Sequence, residues 1–343
     1  MQIKCAQELR ELGIAIFKAA GATTENAEGV TSSLISANLV GHDSHGLMRI
    51  PSYIEDINNG RLHPAAIPKI TQEKSATAIV DGASTFGQLG ARLTAQTAAR
   101  KAREGGLGSA ALYRAHHTGR IGEWAELGAS QGMITLATAA GAFLHLVAPF
   151  GGSGRALGTN PISWAVPRPC GQPPILLDFA TSAAAQGKLM LARAKHEPVP
   201  QGWILDAEGR PTTDVEDYFA GGVLLPFAAH KGYALSVIVE LMAVGLSGGD
   251  SVAKTDCGSC LFIACFDPGA FRPDDLFGES VESIAGRLKA VKPADGFEEV
   301  LLPGEPEART RDQRSQEGIP LPDATWEAIC AVARKLGVPT GSP

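Results

Sequence analysis

The densest group of reactive side chains lies between Gly41 and Arg49, in the sequence GHDSHGLMR. His45 carries an imidazole, which ordinarily exchanges a proton near neutral pH with little adjustment of its pKa. Arg49 follows four residues later, so that even a partly helical segment places both side chains on one face. A guanidinium binds a carboxylate through two parallel hydrogen bonds. The pair could therefore hold a 2-oxo acid and protonate its ketone oxygen during reduction.

The same stretch allows other interpretations. His42 and His45 have the HxxH spacing of some metal ligands, but no third ligand is evident and Gly46 follows at once. Ser44 beside His45 suggests a hydrolase, yet the G-x-S-x-G turn that usually presents a nucleophilic serine is absent. Asp43 and Ser44 could also simply cap a helix, which would not conflict with a catalytic His45.

Composition limits the class of protein. The chain has 343 residues, 44% of them apolar and 19% charged, which indicates a globular protein of two or three compact units. A net charge of −6 without a basic block argues against nucleic acid as a partner. The amphipathic N-terminus contains acidic residues and lacks a cleavage site, so no signal peptide is predicted, and no apolar run is long enough to span a membrane. We expect a cytoplasmic protein.

The cysteine pattern agrees with that expectation. Most of the six cysteines stand alone, and Cys257-x-x-Cys260 has neither a second pair nor histidines nearby. Isolated cysteines of this kind are typical of reduced thiols in a cytosolic protein rather than of a disulfide framework or a zinc site.

Periodicity predicts a helical beginning and then an alternating pattern. Apolar residues spaced by three and four predict helices over 3–20 and 26–40, and a third helix is predicted over 51–60, so the proposed proton donor lies at a helix–helix junction. Strands are predicted at 76–80, 109–113, 133–138, 162–166, 175–182 and 261–266. Further helices are predicted at 89–104, 121–131, 189–195, 233–246, 279–289 and 325–336. This order indicates an α/β protein with a mixed sheet flanked by helices.

No standard nucleotide motif is present. The nearest match to G-x-G-x-x-G begins at Gly106, but a helix precedes it and a strand follows, the reverse of a Rossmann fingerprint. Three other positions could hold phosphate or cap a helix. They are Gly119-Arg120-Ile121-Gly122, His230-Lys231-Gly232, and Asp178 followed by the possible caps Thr181 and Ser182.

Several motifs together resemble the malate/L-lactate dehydrogenase family, whose nicotinamide-binding domain is not a Rossmann fold. They run in order along nearly the whole chain. They are His42-Asp-Ser-His45-Gly with Arg49 and Tyr53, His117-x-Gly119-x-x-Gly122, Gly158-Thr-Asn-Pro161, Asp178-Phe-Ala-Thr-Ser182, Gly187-Lys188, Pro200-x-Gly-Trp203, Pro211-Thr-Thr-Asp214, Lys231-Gly-Tyr, Pro303-Gly-Glu305 and Gly318-Ile-Pro.

The resemblance implies roles for individual residues. His45 would donate the proton with support from Ser44, Arg49 would bind the substrate carboxylate, and Thr159 would lie at the substrate end. The cofactor, NAD or alternatively NADP, would contact a larger set. This set is His45, His117, Gly119, Arg120, Ile121, Leu176, Leu177, Asp178, Phe179, Ala180, His230, Lys231, Gly304, Glu305, Pro306 and Glu307.

The resemblance also implies an assembly and a domain arrangement. It implies a homodimer, with a helical region of residues 1–70 packed against 310–343 and an α/β region of residues 71–309. Within the family the chain is most similar to the hydroxycarboxylate dehydrogenase B branch, which reduces aryl-substituted 2-oxo acids such as hydroxyphenylpyruvate.

Two other functions stay open at this point. Relatives that reduce cyclic imino acids carry an aspartate where this chain has Lys188, which favours 2-oxo acids. A binding protein without catalysis on the same scaffold is the second alternative. The short stretch between Gly249 and Leu261 and the presence of Pro306 depart from the pattern of the branch, and Pro306 would loosen contacts to adenine.

Overall fold

A computed structural model describes residues 1–251 and 258–340. The strands are β1 (Gln2–Lys4), β2 (Lys69–Glu73), β3 (Thr77–Asp81), β4 (Leu107–Ala115), β5 (Ile134–Gly141), β6 (Ile162–Val166), β7 (Ile175–Phe179), β8 (Ile204–Leu205), β9 (Pro211–Thr212), β10 (Val223–Leu224), β11 (Ser259–Phe266) and β12 (Ile319–Leu321). The α-helices are α1 (Ala6–Ala19), α2 (Thr24–Leu39), α3 (Ile50–Asn58), α4 (Gly87–Gly105), α5 (Ile121–Ala129), α6 (Gln186–Lys195), α7 (Val215–Phe219), α8 (His230–Glu240), α9 (Asp274–Lys289), α10 (Glu305–Glu317) and α11 (Asp323–Lys335).

A seven-stranded mixed sheet forms the centre of the molecule, in the order β2-β3-β4-β11-β5-β6-β7. Only β3 and β4 pair in parallel, and the other neighbours are antiparallel. Helices α4 and α5 pack on this sheet through small side chains, among them Ala95 and Ala125, so that helix and sheet approach closely. The predicted mixed sheet flanked by helices is therefore confirmed, and the strand at 162–166 has the predicted bounds.

A second core joins the two ends of the chain. Strand β1 pairs antiparallel with β12, and residues of α1, α2 and α3 share an apolar cluster with Ile319 and Ile329. Phe17 and Tyr53 lie at the centre of this cluster, beside Phe86 from the start of α4. The cluster thereby fixes the segment that follows α2, which contains His45. The division into regions 1–70 with 310–343 and 71–309 stays a prediction.

Local sequence patterns misplace the start of one helix, α6, and miss α10 entirely. Thr181 and Ser182 are possible caps by sequence, but α6 begins only at Gln186. The hydroxyl of Thr181 donates instead to the carbonyls of Thr159 and Asn160, and that of Ser182 donates to Ala184. Helix α10 escapes prediction because none of its residues is buried, so it has no apolar periodicity to detect.

Within the described residues, no helix is both long and apolar enough to cross a bilayer. The same residues contain no cluster of three or more histidine, cysteine or acidic side chains suited to a metal ion. Cys257, and with it the Cys257-x-x-Cys260 spacing, lies outside the described residues. Cys260 itself is buried in β11, and burial raises its pKa to about 11.

Candidate active site

Two 3-10 turns, Asp43–His45 and Leu47–Arg49, hold the reactive stretch between α2 and α3. The side chain of Asn38, near the C-terminus of α2, forms hydrogen bonds with both 3-10 turns. Its Nδ2 donates to Asp43 Oδ1 at 2.6 Å, and its Oδ1 accepts from the N–H of Leu47 at 2.8 Å. Any Cβ on Gly46 would collide with this amide, which explains the glycine beside His45. The turns are therefore anchored to α2 by side-chain hydrogen bonds.

The carboxylate of Asp43 does not cap a helix, contrary to one sequence interpretation. It forms an ion pair with Arg314 of α10, whose Nη1 lies 2.7 Å from Asp43 Oδ1. The same nitrogen donates to the carbonyl of Asn38 at 2.5 Å. Asp43 thus ties the reactive stretch to a helix that is 271 residues away in sequence, and the sequence contains no local signal for such a contact.

The guanidinium of Arg49 is fixed in position through its Nε atom. Its Nε donates to the backbone carbonyl of Ser44 at 2.7 Å. Among the described residues, no carboxylate pairs with this guanidinium, although most arginines near the core have an acidic partner. A fixed guanidinium with its outer nitrogens uncommitted is suited to an incoming carboxylate.

His45 lies beside a second histidine. Its Nδ1 is 3.1 Å from His117 Nε2, and the two ring planes are inclined by only 5°. Because ring N–H bonds lie in the ring plane, this arrangement lets one nitrogen donate to the other. His117 is among the predicted cofactor contacts, and the structure places it directly against the proposed proton donor.

The expectation that His45 titrates near neutral pH is wrong for the protein alone. Burial, followed by the positive charges of Arg49, His42 and Arg120, lowers the pKa of His45 to about 3. The imidazole is therefore neutral at pH 7. Sequence spacing identifies Arg49 as a neighbour but cannot show that burial dominates, nor that Arg120 lies close enough to act on His45.

A carboxylate of the protein itself, that of Asp178, lies at the N-terminus of α5. The N–H of Gly122 donates to Asp178 Oδ2 at 2.9 Å, and Arg120 lies between Asp178 and Glu126, with its Nη1 3.7 Å from Asp178 Oδ2. Burial raises the pKa of Asp178, and Arg120 only partly offsets this effect. The groups expected to meet a phosphate thus meet a carboxylate from the end of β7.

Predicted residues from distant segments adjoin this region. Leu176 packs closely against Gly304: a Cβ added to Gly304 would lie 2.8 Å from the Cβ of Leu176. His42 Nε2 is 3.6 Å from Glu307 Oε1. On the other side, Gly187 at the start of α6 stands so close to Ser44 that an added Cβ would be 3.4 Å from it. The segments at 42–49, 117–122, 176–179 and 304–307 therefore form one continuous region.

The remaining predicted residues lie on a neighbouring face. His230 and Lys231 are exposed at the start of α8, and the ring of His230 meets Phe150 edge-on. Phe179 is 39% exposed and contacts Phe227 edge-on, which links this face to the end of β7. Among the described residues, His230 and Lys231 do not touch His45.

An open cavity of about 720 Å³ lies beside these residues. Phe150, Trp203 and Phe227 line it together with Gly151, Gly152 and Ser153 of the glycine-rich loop. The Nζ of Lys188 is 6.0 Å from the centre of the Trp203 ring. Since Lys188 follows Gly187, the cavity wall connects through α6 to the surroundings of Ser44.

Gln88 and Arg314 contribute to this site without any signal in the sequence. Gln88 is 1% exposed in α4, and its Nε2 donates to the hydroxyl of Tyr53 at 2.9 Å. That hydroxyl in turn lies 2.6 Å from His117 Nδ1. Helix α4 contains two glutamines, Gln88 and Gln96, and no sequence pattern singles out Gln88 as the one that reaches the site.

Comparisons with known proteins identify the family of this chain. The sequence pattern of the malate/L-lactate dehydrogenase family matches residues 5–330. Hydroxycarboxylate dehydrogenase B of Escherichia coli K12 is 38% identical, with 97% of this chain and 94% of that protein covered. The solved sulfolactate dehydrogenase of Methanocaldococcus jannaschii superposes with a TM-score of 0.90 at 30% identity, covering 99% of this chain and 98% of that one.

A relative with a different reaction is also similar. The Δ1-piperideine-2-carboxylate reductase of Pseudomonas syringae superposes with a TM-score of 0.83 at 30% identity, covering 97% of this chain and all of the other. The family pattern and the dehydrogenase relatives nonetheless extend over nearly the entire sequence. The chain therefore belongs to the malate/L-lactate dehydrogenase family and is an oxidoreductase acting on the CH–OH group of hydroxy acids.

Proposed function

We propose that this enzyme reduces 2-oxo acids, with aryl-substituted ones such as phenylpyruvate or hydroxyphenylpyruvate preferred, and oxidises the corresponding 2-hydroxy acids. The observation that carries the proposal is the arrangement of His45 and Arg49 in two consecutive turns, with the guanidinium held through Nε and without a carboxylate partner among the described residues. A proton-exchanging group beside an anion-binding group is what a 2-oxo acid requires.

Each residue then has a separate task. Arg49 binds the carboxylate and fixes the orientation of the neighbouring ketone. His45 gives a proton to the ketone oxygen during reduction and takes it back during oxidation, and Ser44 supports it. Thr159, whose carbonyl accepts hydrogen bonds from the N–H and the hydroxyl of Thr181, forms the far end of the substrate site.

We propose NAD as the cofactor, with NADP as the alternative. When bound, it supplies the hydride in reduction and accepts it in oxidation. Residues at 119–121, 176–180 and 304–307 hold it together with His117, His230 and Lys231. Two observations support a ligand here: Arg120 Nε and Nη1 are buried without a hydrogen-bond partner among the described residues, and Phe179 presents an exposed ring. The preference for NAD rests on the resemblance to the hydroxycarboxylate dehydrogenase B branch.

The aromatic cavity supports the preference for aryl substrates. Trp203, Phe150 and Phe227 offer flat apolar surface to a phenyl ring. Lys188 places a cation near this wall, where relatives that reduce imines are expected to have an aspartate. A cationic side chain disfavours binding of a protonated cyclic imine, so the imino-acid reductase is the less supported alternative.

A panel of substrates measured with NADH and with NADPH tests the proposal. We expect higher kcat/KM for phenylpyruvate and hydroxyphenylpyruvate than for pyruvate, and little turnover of pyrroline-2-carboxylate or piperideine-2-carboxylate. Faster reduction of the imino acids would favour the alternative reaction. Cofactor binding without turnover of any member of the panel would favour a binding protein.

We further propose a cytoplasmic homodimer. Ile238, Leu241 and Leu246 are each more than half exposed along α8 and the turns that follow it, and Met190 and Leu191 of α6 are similarly exposed. Contiguous exposed apolar residues usually mark an interface, and in this family pattern a second copy is the expected partner. The thiols of Cys5, Cys170, Cys260, Cys265 and Cys330 are free, as a reducing compartment requires.

Replacing Leu241 with glutamate should convert the dimer to monomer, because a carboxylate at an apolar interface must be desolvated without a partner. Size-exclusion chromatography with light scattering measures the change in mass. Ile67→Glu, at a 72% exposed position outside these helices, is the matched control and should leave the mass unchanged. A dimer that persists in Leu241→Glu at micromolar concentration would place the interface elsewhere.

A further inference from the structure

A continuous chain of hydrogen-bonding groups runs from the interior of α4 to the proposed proton donor. Gln88 Nε2 donates to Tyr53 Oη at 2.9 Å, Tyr53 Oη lies 2.6 Å from His117 Nδ1, and His117 Nε2 lies 3.1 Å from His45 Nδ1. Gln88 and Tyr53 are each 1% exposed. The members of this hydrogen-bond chain come from three separate segments of sequence. The proposed function so far uses His45 as the proton donor and His117 only as a cofactor contact, and it gives no role to Tyr53 or Gln88.

The amide of Gln88, which donates at one end, fixes the direction of every hydrogen bond from Gln88 to His45. Because the amide of Gln88 donates to Tyr53, the phenol can direct its own O–H at His117 Nδ1 and leave no buried donor unpaired. His117 must then carry its proton on Nε2 and donate to Nδ1 of His45. The neutral imidazole of His45 therefore keeps its proton on Nε2, the nitrogen that His117 does not engage.

A protonated His45 would require the opposite direction. An imidazolium has N–H on both nitrogens, so Nδ1 must donate to His117 Nε2. His117 would then hold its proton on Nδ1 and donate to Tyr53, and the phenol would need an acceptor. Gln88 Oε1 is buried and has no hydrogen-bond partner among the described residues, and rotation of the amide would present it to Tyr53. Glutamine can end the chain in either direction because its amide both donates and accepts.

We propose that His117, Tyr53 and Gln88 are positioning residues that form a reversible hydrogen-bond chain, whose three links from Gln88 to His45 are made in both protonation states of His45. The proposal rests on the proposed role of His45 as the proton donor. On reversal His117 loses its proton from Nε2 and carries one on Nδ1 instead, and His45 gains a proton on Nδ1; the net change is the uptake of one proton from solvent, and no bond between heavy atoms changes. Burial raises the pKa of Tyr53, so the phenol orients its neighbours without ionising.

Electrostatics around His45 define when the reversal occurs. Burial and the charges of Arg49, His42 and Arg120 oppose the imidazolium in the protein alone, and burial likewise lowers the pKa of His117 and keeps it neutral. A bound 2-oxo acid brings a carboxylate to Arg49 and offsets one of these charges. Proton uptake by His45 and reversal of the chain are therefore expected when the substrate anion binds.

Nitrogen-15 NMR of protein labelled only at histidine tests the chain without measuring turnover. In the free enzyme at pH 7, both His45 and His117 should carry their protons on Nε2. With oxamate and NADH bound, the proton of His117 should move to Nδ1. Assignment uses His45→Asn and His117→Asn. A proton on Nδ1 of His45 in the free enzyme, or an unchanged His117 in the complex, would overturn the proposal.

Two variants provide the kinetic test. Tyr53→Phe and Gln88→Met retain the apolar bulk but break the hydrogen-bond chain. Each should lower kcat about 10- to 100-fold, the loss seen when a partner that orients a metal-bound imidazole is removed. KM should change little. The alkaline limb of the reduction profile should move to lower pH, because the imidazolium loses support. Tyr218→Phe, at another buried tyrosine, is the control.

The outcomes separate this proposal from the function itself. If both variants keep the wild-type kcat and pH profile, the proposed role of the hydrogen-bond chain is excluded, whereas the proposed 2-oxo acid reductase activity is unaffected. If the enzyme turns over no 2-oxo acid but its free form shows both histidine protons on Nε2, the proposed 2-oxo acid reductase is excluded. The hydrogen-bond arrangement proposed for the free enzyme is then still supported. If either variant fails to fold, the NMR measurement on the unaltered protein still decides.

Discussion

Replacing His45 with alanine should lower kcat for phenylpyruvate reduction about 10²- to 10⁴-fold, the range for loss of a positioned general acid. The reason is that hydride transfer leaves negative charge on the former ketone oxygen, and His45 is the group proposed to protonate it. Binding of NADH should persist, since the cofactor is expected to contact many residues besides this one. Stopped-flow absorbance at the nicotinamide band measures the rate, and fluorescence titration measures cofactor affinity.

The control for this variant is His63→Ala, which removes an exposed histidine outside the site. It should keep both the wild-type kcat and the wild-type affinity for NADH. A His45→Ala enzyme with unaltered kcat would remove His45 from the reaction. Loss of NADH binding together with loss of turnover would instead assign His45 mainly to the cofactor site.

The low pKa of His45 predicts how the two directions respond to pH. In the protein alone the imidazole is neutral above a pH of about 3. Oxidation of a hydroxy acid can begin from this neutral form, whereas reduction must acquire a proton together with the substrate anion. Reduction should therefore weaken as pH rises through the higher pKa that His45 attains in the complex.

Local sequence predicts much of the fold and the position of the reactive stretch. Spacing of apolar residues locates α1, α2, α4 and α5, and the polar cluster at 41–49 marks the reactive turns. These predictions succeed because helix periodicity and a short motif are properties of neighbouring residues. Strands β4 and β5, observed at 107–115 and 134–141, are also predicted, at 109–113 and 133–138, since each alternates with a helix.

Long-range contacts account for what local sequence cannot supply. Arg314 reaches Asp43 across 271 positions, and Gln88 reaches His117 through the phenol of Tyr53. Asp178 occupies the start of α5 because β7 ends there, which no spacing within either segment reveals. The neutral state of His45 has the same origin, since its low pKa depends on burial created by the assembled fold.

Replacing Arg49 with methionine should chiefly damage recognition of the substrate anion. Removing one partner of a buried, hydrogen-bonded charge pair costs about 2–5 kcal/mol, which corresponds to a loss of roughly 30- to 4000-fold in kcat/KM for phenylpyruvate. Most of this loss should enter through KM. The methyl ester of phenylpyruvate lacks the anionic carboxylate, so its kcat/KM should change far less, and steady-state kinetics with both compounds gives the comparison.

Two further variants identify which property of Arg49 matters. Arg49→Lys keeps the charge but loses the planar fork, and it should recover only part of the activity, because an ammonium cannot reproduce the bidentate geometry. Arg103→Met removes an exposed arginine whose guanidinium contacts the Gln131 carbonyl, and it should behave as wild type. Equal losses for the acid and the ester in Arg49→Met would contradict the carboxylate-binding role.

The Arg49→Met variant also tests whether the positive charge of Arg49 lowers the pKa of His45. Since the Arg49 cation is one cause of the low pKa of His45, its removal should raise that pKa in the free enzyme. Histidine-selective NMR titration follows the change directly, and Arg49→Lys, which retains the positive charge, should show a smaller one. A His45 pKa that does not rise in Arg49→Met would mean that burial, with His42 and Arg120, suffices to keep the imidazole neutral, and substrate binding at Arg49 could then not be the event that lets His45 take up its proton.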